Sequence, residues 1–411
     1  MAMNQDSASD YFKRISNALI DQGVHSPTLI IDKQRLDKNI EHFLSAKAKG
    51  FDLRIVAKSL PSIPMLRYIM EKVGSNRLMS FHLPFLRHLV SELPHSDILL
   101  GKPMPVDGAK VFYHWHAQQV NTEFSPSKQL HWLIDSNERL KQYQLLAKNL
   151  SQPINISLEI DVGLHRGGFD NLADFRQALD LIQSAPNLRL TGLMGYEAHI
   201  TKVPKIIGGS KKALNHAMDK YQSFIDCVEN VMGSQQLQTM VLNGGGSTTY
   251  PLYDNPNIIN EIATASALVK PTDFDVFTLS HHLNAAFIAT PILKMVNKPT
   301  LPMAPTLSAI LRTIGVLPKT ACFIYGGNWL AQPYFPANAK RANILGHSSN
   351  QEMFELANAD DTCMDDFFYF RPSQSEAVFL QFGELALFEQ DKITQWWPVF
   401  EAQQRTTKSF T

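Results

Sequence analysis

Leu53-Arg54-Ile55-Val56-Ala57-Lys58-Ser59-Leu60-Pro61-Ser62-Ile63-Pro64-Met65-Leu66-Arg67-Tyr68-Ile69-Met70-Glu71-Lys72-Val73-Gly74 is the stretch on which the fold turns. Its first five residues form a short apolar run that suits a buried strand. From Pro64 the apolar residues fall at helical spacing, and the run stops at Gly74, which favours the end of a helix. Strand, turn and helix therefore make one unit, and seven further runs repeat its opening: Arg77–Phe81, Asp97–Leu100, His131–Asp135, Ile154–Ile160, Leu190–Gly195, Thr239–Leu242 and Glu261–Val269. Eight alternating units over residues 36–270 predict an α/β domain of the (β/α)8 TIM-barrel type. An open doubly wound sheet is the alternative, because a sequence does not show closure.

Outward from this core the rhythm changes. Beyond residue 270 the chain is rich in proline and aromatics, with short alternating runs such as Ala377–Phe382, which predicts a mostly β domain over 271–411. Residues 1–35 are assigned to it as well. Phe12, Ile15 and Leu19 define one face of an amphipathic helix, and Leu29–Ile31 reads as a strand that pairs with the C-terminal region. Asp32 is a candidate N-cap for the periodic segment that follows and ends at Gly50.

Hydrophobic residues make up 44% of the 411 and charged residues 18%, enough for a large core. Lys plus Arg and Asp plus Glu each total 38, so zero net charge argues against nucleic acid or an acidic membrane as partner. No apolar stretch is long enough to span a bilayer. Cys227, Cys322 and Cys363 make neither a CxxC pair nor a zinc-like cluster, and a reducing cytoplasm is the expected compartment.

Five local signals fall where chemistry is expected. Lys58 ends an apolar strand, a place for a nucleophilic amine; a lysine reaching into solvent is the plainer alternative. In Glu159–Gly168, a glycine-flanked turn offers the Arg166 fork to an oxyanion, or forms only a surface ion pair. Tyr196 and His199, in Gly192–His199, can line an aromatic cofactor or relay a proton, or be ordinary packed side chains. Asn243-Gly244-Gly245-Gly246-Ser247-Thr248 follows an apolar strand, and its successive amides can converge on an anion. It has neither Walker nor GxGxxG spacing. The fifth is Arg371–Glu376. An amine, an arginine, a Tyr/His pair and an anion cradle at successive strand ends suit a phosphorylated aldehyde cofactor.

With these motifs in order, the chain from about Ser26 onward resembles the fold-type III pyridoxal-phosphate enzymes. It is most similar to the D-threonine aldolase and D-serine dehydratase branch and more distantly to alanine racemase. The carrying segments are PTLIIDKQRLDKNI, RIVAKS, EIDVGLHRGG, GLMGYEAH, NGGGSTTY, NEIATASALVKPTDFD and WPVF. The resemblance implies pyridoxal 5'-phosphate held as a Schiff base on Lys58, its phosphate on Gly244–Thr248 beside Asn243. It also implies Arg166 near the phenolic oxygen, Tyr196 along the ring, a homodimer, and a lyase reaction on a D-3-hydroxy amino acid.

Two departures keep other readings open. The histidines that the branch places around its lysine are absent from Val56–Pro61. Its metal motif is replaced by Gln374-Ser375-Glu376, which makes Gln374 and Glu376 weak candidates for a hard divalent ion and poor ones for zinc. An amino-acid racemase is therefore the alternative. A non-catalytic pyridoxal-phosphate-binding protein is the third reading, opposed by the long C-terminal region.

Overall fold

The computed structural model describes residues 8–120, 122–342, 346–357 and 362–401. Residues 1–7 and 402–411, the ends of the expected second domain, lie outside the described set. The chain separates into two compact units, one of residues 40–267 and 276–281, the other of 8–39, 268–275 and 282–401.

Strands are numbered along the chain. In the second unit β1 (Thr28–Asp32) joins β10 (Ala286–Asn297), β11 (Thr320–Tyr325), β12 (Ala331–Phe335), β13 (Lys340–Arg341), β14 (Gln351–Leu356), β15 (Phe367–Pro372), β16 (Glu384–Glu389) and β17 (Lys392–Pro398). The path is β13-β14-β11-β10-β1-β16-β17, with β15 on β10 and β12 on β15. β1 lies between β10, antiparallel with Thr28 opposite Ala289, and β16, parallel with Leu29 opposite Leu385. The early strand thus pairs with the C-terminal region, as its composition suggests. Helix α1 (Ala8–Asp21) buries Tyr11, Phe12, Ile15, Ala18 and Leu19 against Ile30, Phe287, Tyr369 and Phe388. Each such side chain removed from water contributes about 2 kcal/mol, so the helix is held by its face rather than by its length.

The first unit is a closed barrel of eight parallel strands: β2 (Asp52–Val56), β3 (Arg77–Ser80), β4 (Asp97–Leu100), β5 (Leu130–Ile134), β6 (Ile154–Ile160), β7 (Leu188–Gly195), β8 (Val241–Gly244) and β9 (Glu261–Thr264). β9 pairs with β2, Asp52 opposite Glu261, and that pairing closes the ring and excludes an open sheet. Helix signals work locally. Asp32 Oδ1 accepts the Arg35 amide at 3.0 Å at the start of helix Lys33–Ala48, and Gly74 ends helix Ile63–Val73 with φ 59°.

Three expectations need correction. Glu261–Val269 is not one strand: pairing stops at Thr264 because the amides of Ala265 and Ala267 turn to the Ser247 hydroxyl, at 3.3 and 3.2 Å, and Ser266–Val269 is helical. Thr239 and Met240 belong to a turn, their amides bonded to the carbonyls of Gln236 and Leu237, so β8 begins at Val241. Ala377–Phe382 is no strand, since Ser375–Phe379 is a helix burying Ser375, Val378 and Phe379 at helical spacing.

A charged network plugs the N-terminal end of the barrel. Arg54, 1% exposed, uses all five N–H donors: two on Glu261, one on Asp97 Oδ1 and two on the carbonyls of Leu78 and Asp97, at 2.6–3.0 Å. Arg77 and Asn243 also donate to Glu261, and His131 bridges Asp97 to Thr191. Burial disfavours the Arg54 charge, yet Glu261 and Asp97 more than offset it, and its pKa rises. Burial pushes Asp97 up, but the hydrogen bond from His131 and the charge of Arg54 hold it well below the carboxylate range.

Candidate active site

Opposite this plug, at the C-terminal ends of the strands, β8 runs into a turn. Gly245 adopts φ +68°, and a Cβ there would lie 3.3 Å from Ile262 and 3.4 Å from Tyr253. Its amide donates to Glu197 Oε2 at 3.3 Å, the Gly246 amide donates to Thr249 Oγ1 at 2.8 Å, and the Thr249 hydroxyl donates to Glu197 Oε1 at 2.5 Å. The Ser247 hydroxyl is 2.5 Å from Thr264 Oγ1, and Thr278 donates to the Thr248 carbonyl at 2.7 Å. Every one of these contacts fixes the turn from behind. The backbone amides of Ser247 and Thr248 have no hydrogen-bond partner among the described residues, and both residues are half-buried. Two adjacent unpaired amides on a rigid turn form a ready place for an anion. We predict that Gly245→Val, strained at this φ and crowded by Ile262 and Tyr253, weakens binding of a phosphorylated ligand about tenfold or more, measured by equilibrium titration.

Lys58 stands in the one-turn 3-10 helix Ala57–Ser59 directly after β2. It is half-buried, and its Nζ lies 4.7 Å from the centroid of the Phe81 ring. Gly101 makes room for that ring, since a Cβ there would collide with Phe81. Between β2 and the anion turn stands only β9. Ile55 pairs with Thr264, and Thr264 touches the Ser247 hydroxyl, so amine and cradle stand at strand ends separated by one strand.

The ends of β6, β7 and β8 bring three expected residues together. The Arg166 guanidinium carbon lies 4.9 Å from the centroid of the Tyr196 ring, and a Cβ on Gly246 would come within 2.9 Å of Tyr196 Cε2. His199 is placed differently. It sits against Gly163, where a Cβ would be 3.4 Å from its Nε2, and its buried Nδ1 has no hydrogen-bond partner among the described residues. Burial lowers its pKa, assisted by the nearby His165, so a neutral imidazole is favoured. His165 is tied to Asp161 through Nδ1 at 2.7 Å. Asn243 is turned to the barrel plug by its bond to Glu261. Gln374 is exposed and donates to Asp273 at 2.9 Å, and among the described residues no group of three His, Cys, Asp or Glu side chains could hold a metal ion.

Two carboxyl groups at the candidate site escaped the sequence reading. Glu197 lies between Tyr196 and His199, and alternation along an extended strand end would have turned it away from Tyr196, into the barrel. Glu159, on β6, is pushed up to about 7 by burial and by Asp135 and Asp161, against the lowering effect of Arg166. A carboxyl raised in the folded state stabilises it fully below the ordinary range near 4.5 and loses that contribution as pH climbs to about 7. Glu159→Gln is therefore expected to gain stability relative to the parent across that window, by about 3 kcal/mol, and to level off above it. Denaturant midpoints at stepped pH check this; a pH-independent difference contradicts it.

The sequence model of the alanine racemase N-terminal domain matches residues 31–262, more than half of the chain. The chain belongs to this family. Members of the alanine racemase N-terminal family are pyridoxal-phosphate-dependent enzymes, lyases and racemases among them. The structure of D-threonine aldolase from Filomicrobium marinum superposes with a TM-score of 0.71 at 14% identity, covering 92% of this chain and 95% of that one. D-threo-3-hydroxyaspartate dehydratase from Delftia sp. HT23 gives 0.70 at 14% identity, covering 92% and 98%. At such identities these matches show the shared fold. An alanine racemase from Limosilactobacillus fermentum is 39% identical over 67 residues, only 16% of this chain and 18% of that protein. Among the described residues no helix is long and apolar enough to cross a membrane.

Proposed function

We propose that the protein is a pyridoxal-phosphate-dependent lyase that acts on a D-3-hydroxy amino acid. The observation that carries the cofactor is the pair of unpartnered amides at Ser247 and Thr248, one strand away from the Lys58 amine. These residues fit the group: the turn offers donors to a phosphate, Lys58 a primary amine to the aldehyde carbon, and Arg166 a fixed cation to an oxyanion. When bound, the cofactor supplies a conjugated ring that stabilises negative charge at the Cα of the amino acid.

The chain's own residues supply the rest. Lys58, beside the apolar Phe81 ring, can hold or move a proton at its Nζ. Arg166, stacked on Tyr196, orients an oxygen substituent and discourages its protonation. Glu159 next to Arg166 holds a proton near neutral pH and is the second group able to give or take one. Gln374 is bonded to Asp273, among the described residues no group of three His, Cys, Asp or Glu side chains could hold a metal ion, and no step is assigned to one.

A lyase reaction is supported by likeness along nearly the whole chain to D-threonine aldolase and D-threo-3-hydroxyaspartate dehydratase. Racemisation is the second reading, favoured by the missing metal donors and the local match to an alanine racemase. Assembly as a homodimer belongs to the same proposal. The test is incubation of purified holoenzyme with D-threonine, D-serine, D-threo-3-hydroxyaspartate and both alanine enantiomers. Aldehyde or keto acid from a D-3-hydroxy substrate is expected. Loss of optical activity without breakdown would replace the lyase by the racemase.

A further inference from the structure

Beneath the anion turn lies a carboxyl group to which no role has been assigned. Glu197 is completely buried, at 0% exposure, directly after the end of β7. Its two oxygens hold the turn at two points: Oε2 takes the Gly245 amide, and Oε1 takes the Thr249 hydroxyl, which in turn receives the Gly246 amide. The amides of Gly245 and Gly246, the last two of the glycine run, are thereby directed inward. Only the next two, of Ser247 and Thr248, remain for a ligand.

We infer that Glu197 is the positioning residue of the phosphate cradle, selecting which backbone amides of the Gly244–Thr249 turn face a phosphorylated ligand. Released from Glu197 and Thr249, Gly245 and Gly246 would be free to rotate, since glycine tolerates both signs of φ, and the turn would lose its single arrangement. Such a rigid donor array owes its affinity to being set before the ligand arrives.

The titratable groups facing Glu197 are the phenols of Tyr221, on helix Gly209–Met232, and Tyr253, in the connection from β8 to β9. Burial pushes both phenols up, with Glu197 adding to the effect, so they stay neutral. Burial also raises Glu197 itself, against the lowering influence of its hydrogen bonds to Thr249 and Gly245.

The inference rests on the proposed cofactor reading, and one set of titrations separates the two. The full-length protein, stripped of cofactor, is titrated with pyridoxal phosphate and with pyridoxal, which lacks the phosphate. Stronger binding of the phosphorylated form by the parent is the cofactor reading's own requirement; equal binding would remove that reading and this inference with it. Glu197→Leu is expected to lose about tenfold or more in affinity for pyridoxal phosphate and to change less than about twofold for pyridoxal. Glu197→Gln, which keeps the shape and one acceptor for the Gly245 amide while its NH2 donates to the Thr249 oxygen, is expected to restore the preference. Thr249→Val, which removes the hydroxyl link, is expected to lose it as Glu197→Leu does, and serves if the leucine variant does not fold. A parent that prefers the phosphorylated form while the Thr249→Val and folded Glu197 variants keep that preference overturns the inference and leaves the cofactor reading standing. Equal losses for both probes would show a structural role only, and would also overturn it.

Discussion

Lys58→Ala is expected to abolish the visible absorbance of covalently held pyridoxal phosphate and to lower turnover of any amino-acid substrate by about a thousandfold or more. The size follows from two roles meeting in one atom. In the proposed reading Nζ would be the attachment point for the aldehyde, and the same amine would be the acid or base nearest the Cα. Its surroundings support both: the flanking residues Ala57 and Ser59 are buried, and the aromatic face of Phe81 lies 4.7 Å away. Affinity for the phosphate end should survive, because the Ser247 and Thr248 amides are untouched. The measurement is an absorbance spectrum with a parallel activity assay. A variant that kept its colour and its turnover would assign the chemistry to a different lysine.

Arg54→Met is expected to have the largest effect on stability, about 3–5 kcal/mol, read from the denaturant midpoint. Arg54 brings together Glu261, at 0% exposure, and Asp97 with five directed N–H bonds inside the barrel. Removing the guanidinium leaves a buried carboxylate whose remaining side-chain partners among the described residues are Arg77 and Asn243. The double variant Arg54→Met, Glu261→Leu removes both members of the pair and should be clearly less damaged than the single one. Additive losses would mean that the two side chains do not act as a pair.

The distance between these predictions shows what was legible beforehand. Barrel strands announce themselves because both faces of a parallel strand are buried, giving short apolar runs such as the one in Asp97–Leu100, whose limits the structure keeps. Glycine turns are equally plain, so Gly244–Thr248 and Lys58 stood out by position. The residues that were missed are polar groups acting through folded neighbours. Arg54, Arg77, Asp97, His131 and Glu261 lie far apart in the chain and meet only when β9 closes on β2. Glu197 became visible as a partner of Gly245 and Thr249, about fifty residues downstream. Two short runs misled for a different reason. Ala377–Phe382 reads as alternation over six residues, too short to separate period 2 from period 3.6. In Glu261–Val269 the strand ends because a serine hydroxyl from another turn captures two amides.

Trapping with borohydride, followed by peptide mapping of the holoenzyme, bears on the central claim most directly. Reduction should fix a phosphopyridoxyl group on a single peptide, the one that contains Lys58. Its appearance on another lysine, or on none after saturation with pyridoxal phosphate, would contradict the account.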